Sequence, residues 1–168
     1  ADGQIMRFEL QLAVAPNTVA NFTSLANSGF YDGLEFFRVV PGVLIQSGDP
    51  NNDGTGCADG RIRGEFSANG FENDLSHMRG VLSMARLEDP DSASSQFFIM
   101  QGNYPEYDGQ YAAFGTALDE ETLSVIDSIA SQPVDGYYVP LKHQVIQTIR
   151  VNTHGYELEA ETLPIDDN

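Results

Sequence analysis

Between Phe36 and Pro50 the chain reads FFRVVPGVLIQSGDP, two short apolar segments hinged at Pro41-Gly42 that carry one arginine, Arg38, and one glutamine, Gln46. Arginine does not shed its proton inside a protein, and a desolvated charge is costly unless paired or hydrogen-bonded. Arg38 therefore belongs at a strand edge, in a cleft or against a partner. Gln46 is a candidate for that partner, because on an alternating strand Leu44 and Gln46 face one way while Val43 and Ile45 face the other. The plain reading is a strand pair whose arginine simply reaches solvent, as most charges do. The sharper reading is a guanidinium held beside an apolar surface, with Gln96 as a further amide. That set has no nucleophile, no metal ligands and no acid-base pair, and it suits a reaction in which no covalent bond is made or broken.

Other chemistry has weak support. Asp49, Asn51, Asp53 and Gly54 imitate the opening of a calcium loop, but Gly60 stands where the bidentate glutamate should be, so a solvated turn is the better reading. His77, His143 and His154 lack metal-ligand spacing and read as structural hydrogen-bonding residues. The serines of Ser92-Ala93-Ser94-Ser95 have no nucleophile elbow, and no glycine motif opens a helix to hold phosphate. No metal and no cofactor are expected.

Composition narrows the partners. With 25 acidic against 8 basic residues the net charge is −17, so the basic patch that nucleic acid requires is missing. No apolar run approaches membrane-spanning length and no signal peptide is visible, although a chain that starts at Ala1 leaves export open. One cysteine, Cys57, excludes an internal disulfide and fits a reducing compartment. Length and a hydrophobic content of 41% fit one folded domain, placed at residues 1–154, with an acidic tail over 155–168 packed on or running over the surface.

The elements that must position Arg38 follow from periodicity. Gln4 to Leu12 alternates as a half-buried strand. Ala15-Pro16-Asn17-Thr18 opens a helix with Val19, Phe22, Leu25 and Ala26 on one face and Gly29 as its stop. Strands are expected at Glu35–Val40, Val43–Ser47, Val81–Met84, Gln96–Met100, Ala112–Ala117 and Val145–Val151, and a second helix at Glu120–Ser131. Gly48 to Gly80 is expected to be mostly loop. This pattern, without strict strand-helix alternation, argues for a mainly β fold, a closed antiparallel barrel capped by two helices.

Several spaced blocks resemble the cyclophilin-type peptidyl-prolyl cis-trans isomerases. They are Ala15 to Phe22, Gly29-Phe30-Tyr31-Asp32-Gly33, Phe36 to Gly42, Gln46-Ser47-Gly48-Asp49, Ser83-Met84-Ala85, Ser95 to Ile99, and Asp108-Gly109-Gln110-Tyr111 with Phe114-Gly115. Met84-Ala85-Arg86 and Gln110-Tyr111-Ala112-Ala113 look most like the forms of Gram-positive bacteria, which implies a cytoplasmic location. The resemblance implies an eight-stranded barrel with a helix at each end. It also implies rotation about Xaa-Pro bonds, with Pro-containing peptides and unfolded proteins as partners of a monomer. By it Arg38 is catalytic and Gln46 orients Arg38. Leu44, Phe98 and Tyr111 line the proline pocket, Ala85, Arg86 and Gln96 form the groove edge, and Tyr107 flanks the pocket.

Departures from the family pattern bear on the same site. Val43 stands where most members have Phe, Tyr111 where most have His and Arg86 where many have Asn. Members with a Trp beside the pocket bind cyclosporin tightly. This chain has no Trp, which implies weak cyclosporin binding at most. Val43 and Tyr111 also favour the rival reading, a non-catalytic module that grips Pro-containing segments.

Overall fold

The computed structural model describes residues 3–165; the outermost residues of the expected domain and tail, 1–2 and 166–168, lie outside the described residues. Six strands, β1 (Phe8–Leu10), β2 (Arg38–Val40), β3 (Leu44–Ser47), β4 (Val81–Met84), β5 (Phe97–Met100) and β6 (Ala113–Ala117), and two helices, α1 (Pro16–Asn27) and α2 (Glu120–Ala130), make up the regular structure. The strands form one antiparallel sheet in the order β1-β6-β4-β5-β3-β2. The stretch from 48 to 80 is mostly loop, with one 3-10 turn, Ser67–Asn69, and isolated bridges from Arg61 to Leu163 and from Ile62 to Ala93.

The register divides the sheet into two apolar surfaces. Val39 lies opposite Ile45, Ile45 opposite Ile99 and Ile99 opposite Leu82, and these four belong to the main core with Phe22, Tyr31, Phe97, Phe114 and Ile126. Phe22 packs edge-on to Phe97 at 5.4 Å, which fastens α1 to β5. The other face carries a separate small cluster of Leu44, Val81, Phe98, Met100 and Ala113. A sheet with both faces apolar explains why β4 and β5 read as continuous hydrophobic runs, fully buried along their length.

The expected closed eight-stranded barrel is not what forms: the sheet is a single one of six strands, open between β1 and β2. The expected strand over Val145–Val151 contributes only one isolated bridge, Val145 to Glu35. Its backbone groups go elsewhere. Ile146 donates its N–H to the Leu34 carbonyl and accepts from Gly33 N–H, Phe36 N–H bonds the Gln144 carbonyl, and Val151 N–H bonds the Asn27 side chain. Arg150 is tied to Asp32 by two bonds of 2.7 and 2.6 Å. The segment forms no ladder with β1, which among the described residues pairs with β6 alone, and a cavity of about 1230 Å³ opens between β1, α2 and residues 142–158.

Helix starts have specific causes. Asp119 caps α2 by accepting the Thr122 N–H at 2.8 Å. α1 begins with Pro16 but has no local side-chain cap; buried Glu65 accepts from the Asn17 N–H, the Thr18 N–H and the Thr18 hydroxyl instead.

Candidate active site

The Pro41-Gly42 hinge turns β2 back on β3. Gly42 takes the left-handed conformation, φ 81°, that glycine adopts without strain, and its N–H bonds Gln101 Oε1 at 2.7 Å. This turn puts Arg38 directly opposite Gln46. The next pairings put Gln46 opposite Phe98, Phe98 opposite Ser83, and Ser83 opposite Ala113. One row of side chains, Arg38, Gln46, Phe98, Ser83, Ala113, therefore crosses five strands on the face away from the main core.

The polar end of that row is a chain of hydrogen bonds. Arg38 Nη1 donates to Gln46 Oε1 at 3.0 Å, Gln46 Nε2 donates to Gln96 Oε1 at 3.0 Å, and Gln96 Nε2 reaches the carbonyls of Gly54 and Gly56 at 3.2 and 2.8 Å. Each amide is fixed by the next, so the guanidinium is aimed rather than free. Arg7, Arg79 and Arg150 all pair with carboxylates, whereas Arg38, exposed on an acidic protein, has no carboxylate within ion-pair distance among the described residues.

The apolar end is an aromatic seat. Phe98 and Leu44 are buried, and Tyr107 and Tyr111 are half-buried beside them. Tyr111 meets Phe98 edge-on at 5.6 Å, Tyr107 meets Phe98 at 5.9 Å, and the two tyrosines lie 5.1 Å apart. Val43 and Ala85 pack at the rim of the same cluster. Arg86 projects its guanidinium between two rings, 4.9 Å from Tyr111 and 5.0 Å from Phe66, and binds the Gln110 carbonyl through Nε and Nη2. The structure thus brings together all ten residues singled out from the sequence.

Below the seat lies a group that the sequence offered only as a structural histidine. His77 is fully buried, with Nδ1 2.9 Å from Asp108 Oδ1 and Nε2 2.9 Å from Ser83 Oγ. Burial pushes the imidazole below its usual range, against the opposing pull of Asp108. Asp108 sits below the usual carboxylate range: burial raises it, but bonds from Ser76 and from His77 more than offset that. The ordinary Asx loop accounts for the calcium-like stretch, since the Asp49 carboxylate accepts the N–H groups of Asn51, Asp53 and Gly54.

Comparison with known proteins identifies the family. The profile of the family described as cyclophilin type peptidyl-prolyl cis-trans isomerase/CLD matches residues 2–151. Peptidyl-prolyl cis-trans isomerase B of Bacillus subtilis is 45% identical over 114 residues, 68% of this chain and 76% of that protein. A putative bifunctional phosphatase/peptidyl-prolyl cis-trans isomerase of Streptococcus pyogenes is 35% identical over 82% of this chain, which spans only about a third (34%) of that longer protein. A crystal structure of a Cryptosporidium parvum cyclophilin-type isomerase in the presence of the dipeptide Ala-Pro superposes with a TM-score of 0.77 at 30% identity, covering 88% of this chain and 92% of that one. On the profile match, the bacterial relatives and the shared fold together, the chain belongs to the cyclophilin-type peptidyl-prolyl cis-trans isomerase family.

Proposed function

We propose that the family's reaction, rotation about Xaa-Pro peptide bonds, is carried in this chain by Arg38, aimed by Gln46 and Gln96 over the seat of Leu44, Phe98, Tyr107 and Tyr111. The observation that carries this reading is the guanidinium, without a carboxylate partner among the described residues and bonded to Gln46 at 3.0 Å in a row that continues through Phe98.

The barrier to rotation, ~18–20 kcal/mol, comes from delocalisation of the prolyl nitrogen lone pair into the carbonyl. As the bond twists, that nitrogen becomes pyramidal and accepts a hydrogen bond that the planar ground state accepts poorly. A guanidinium N–H placed there binds the twisted state better than either planar isomer, and that difference is what accelerates the step. The aromatic seat holds the proline ring while the preceding residue swings. Val43, Ala85 and Arg86 bound the groove along which the peptide backbone lies.

Pro-containing peptides and unfolded segments are the partners this site suits, in keeping with the Ala-Pro dipeptide used with the Cryptosporidium relative. The resemblance to Gram-positive cyclophilins supports a cytoplasmic monomer. Peptide exchange spectroscopy tests the reading: substoichiometric protein should collapse the separate cis and trans signals of a short Xaa-Pro peptide, and Arg38→Ala should abolish that effect while leaving affinity within about threefold. Binding without exchange in the wild type would favour the non-catalytic gripping module.

A further inference from the structure

The group beneath the seat has the hydrogen-bond order of a Ser-His-Asp triad, buried Ser83 to buried His77 to exposed Asp108. It is not a hydrolytic site, because Ser83 and His77 are both at 0% exposure and Phe98 covers Ser83 from the neighbouring strand, so no substrate atom reaches the serine oxygen. Its surroundings point to a different role. His77 stacks on Phe98 with ring centres 6.1 Å apart and 21° between planes, and meets Tyr107 and Tyr111 edge-on at 5.9 and 6.4 Å. It is the one ring that touches all three rings of the seat.

We infer that His77 is a positioning residue for the peptide site: pinned at both nitrogens by Asp108 and Ser83, it fixes the tilt of Phe98, Tyr107 and Tyr111 and thereby the shape of the seat that receives the proline ring. This rests on the reading of those three rings as the proline pocket.

The pinning sets the tautomer. Ionised Asp108 only accepts, so Nδ1 carries the proton and Nε2 accepts from the Ser83 hydroxyl. Asp108 is itself held by the His77 backbone N–H and the Ser76 hydroxyl, each at 2.6 Å. Protonating the ring forces Ser83 to turn its hydroxyl round and places a cation under Phe98. The groups that face His77 are few. Ser83 comes from β4 and Phe98 from β5, neither of which titrates. Tyr107 faces it from the Pro105–Tyr107 turn, where Glu106 is exposed, and Asp108 and Tyr111 follow. Arg38 acts on Tyr107 from a distance and Arg86 covers Tyr111. Since burial lowers the affinity of His77 for its proton from the ordinary value of 6.5, the neutral, pinned form is complete above that pH and is lost progressively as pH falls below it.

The experiment measures two quantities separately by NMR on a short Xaa-Pro peptide: the dissociation constant, and the exchange rate at saturation. His77→Phe keeps a ring beside Phe98 but loses both pins; it should raise the dissociation constant about tenfold while the saturated exchange rate stays within about threefold. Wild-type affinity should weaken as pH falls below 6.5, and in His77→Phe that dependence should vanish. Ser83→Ala, which removes one pin with less change of volume, should weaken binding about threefold and serves if His77→Phe does not fold. A folded variant with wild-type affinity and an unchanged pH profile overturns the inference, as does a loss confined to melting temperature. Wild-type protein that binds but never exchanges the peptide would instead remove the catalytic reading of Arg38 and leave these affinity measurements intact.

Discussion

Replacing Arg38 by lysine separates charge from geometry. In the native site Nη1 is held 3.0 Å from Gln46 Oε1, and Gln46 is itself held by Gln96, so the guanidinium presents its other N–H donors as a rigid planar fork. Lysine keeps the charge but offers a strongly hydrated point on a flexible stem, and Gln46 cannot aim it. Removing an electrostatic stabiliser that acts only in the twisted state typically costs about 2.7–4 kcal/mol, equivalent to roughly a hundred- to thousandfold in turnover. Arg38→Lys should therefore fall close to Arg38→Ala. Ground-state affinity for a planar peptide should move by less than about threefold, because that binding comes from the seat and the groove backbone. Folding should be preserved, since Arg38 is exposed and surface changes are usually within about 0.5 kcal/mol. Catalysed exchange, peptide titration and thermal melts on both variants give the three readings. Near-normal exchange in a folded Arg38→Lys protein would mean that the seat and proximity carry the rate, and the role given to Arg38 would have to be abandoned.

Val43 is half-buried at the rim of the outer cluster, so Val43→Phe should keep or raise kcat/KM; a fall accompanied by a lower Tm would show that the pocket is already full, at a cost of about 1–3 kcal/mol. The chain has no Trp, and inhibition by cyclosporin should accordingly be weak; a stoichiometric endpoint in an inhibitor titration would contradict this. Glu65→Ala strips α1 of its acceptor and leaves the amides of Asn17 and Thr18 unpaired, which should lower stability to urea by about 1–3 kcal/mol with turnover per folded molecule unchanged.

What was legible in the sequence was what is local. Pro16 and the apolar spacing after it marked α1, and helical spacing behind an acidic first turn marked α2, because amphipathic faces are written within a few residues. The strand pair around Pro41-Gly42 was legible for the same reason, and with it the juxtaposition of Arg38 and Gln46. Long-range choices were not. Residues 145–151 alternate as a strand should, but alternation does not name a partner, and here the backbone bonds go to Gly33, Leu34 and Asn27. The acceptor for α1 comes from Glu65, well downstream, where local sequence shows only a loop. Nothing in the sequence around His77 marks its place under the seat. Ser83 is six residues on and Asp108 lies thirty-one away; the pairing of β4 with β5 sets Ser83 opposite Phe98, and Asp108 reaches His77 from the end of the Pro105–Tyr107 turn.

The open side of the sheet and the candidate site are separate matters for the same structural reason. The row from Arg38 to Ala113 is set by four ladders, β2 with β3, β3 with β5, β5 with β4 and β4 with β6, and none of them involves β1 or residues 145–151. The register shift between Leu82 and Ser83 lies within this row; it places Ser83 opposite Ala113 while Phe114 stays in the main core. Closure of the β1 edge would change what fills the cavity behind the sheet. It would not change which side chains meet on the front of it, because those are fixed by the pairings of the strands that carry them.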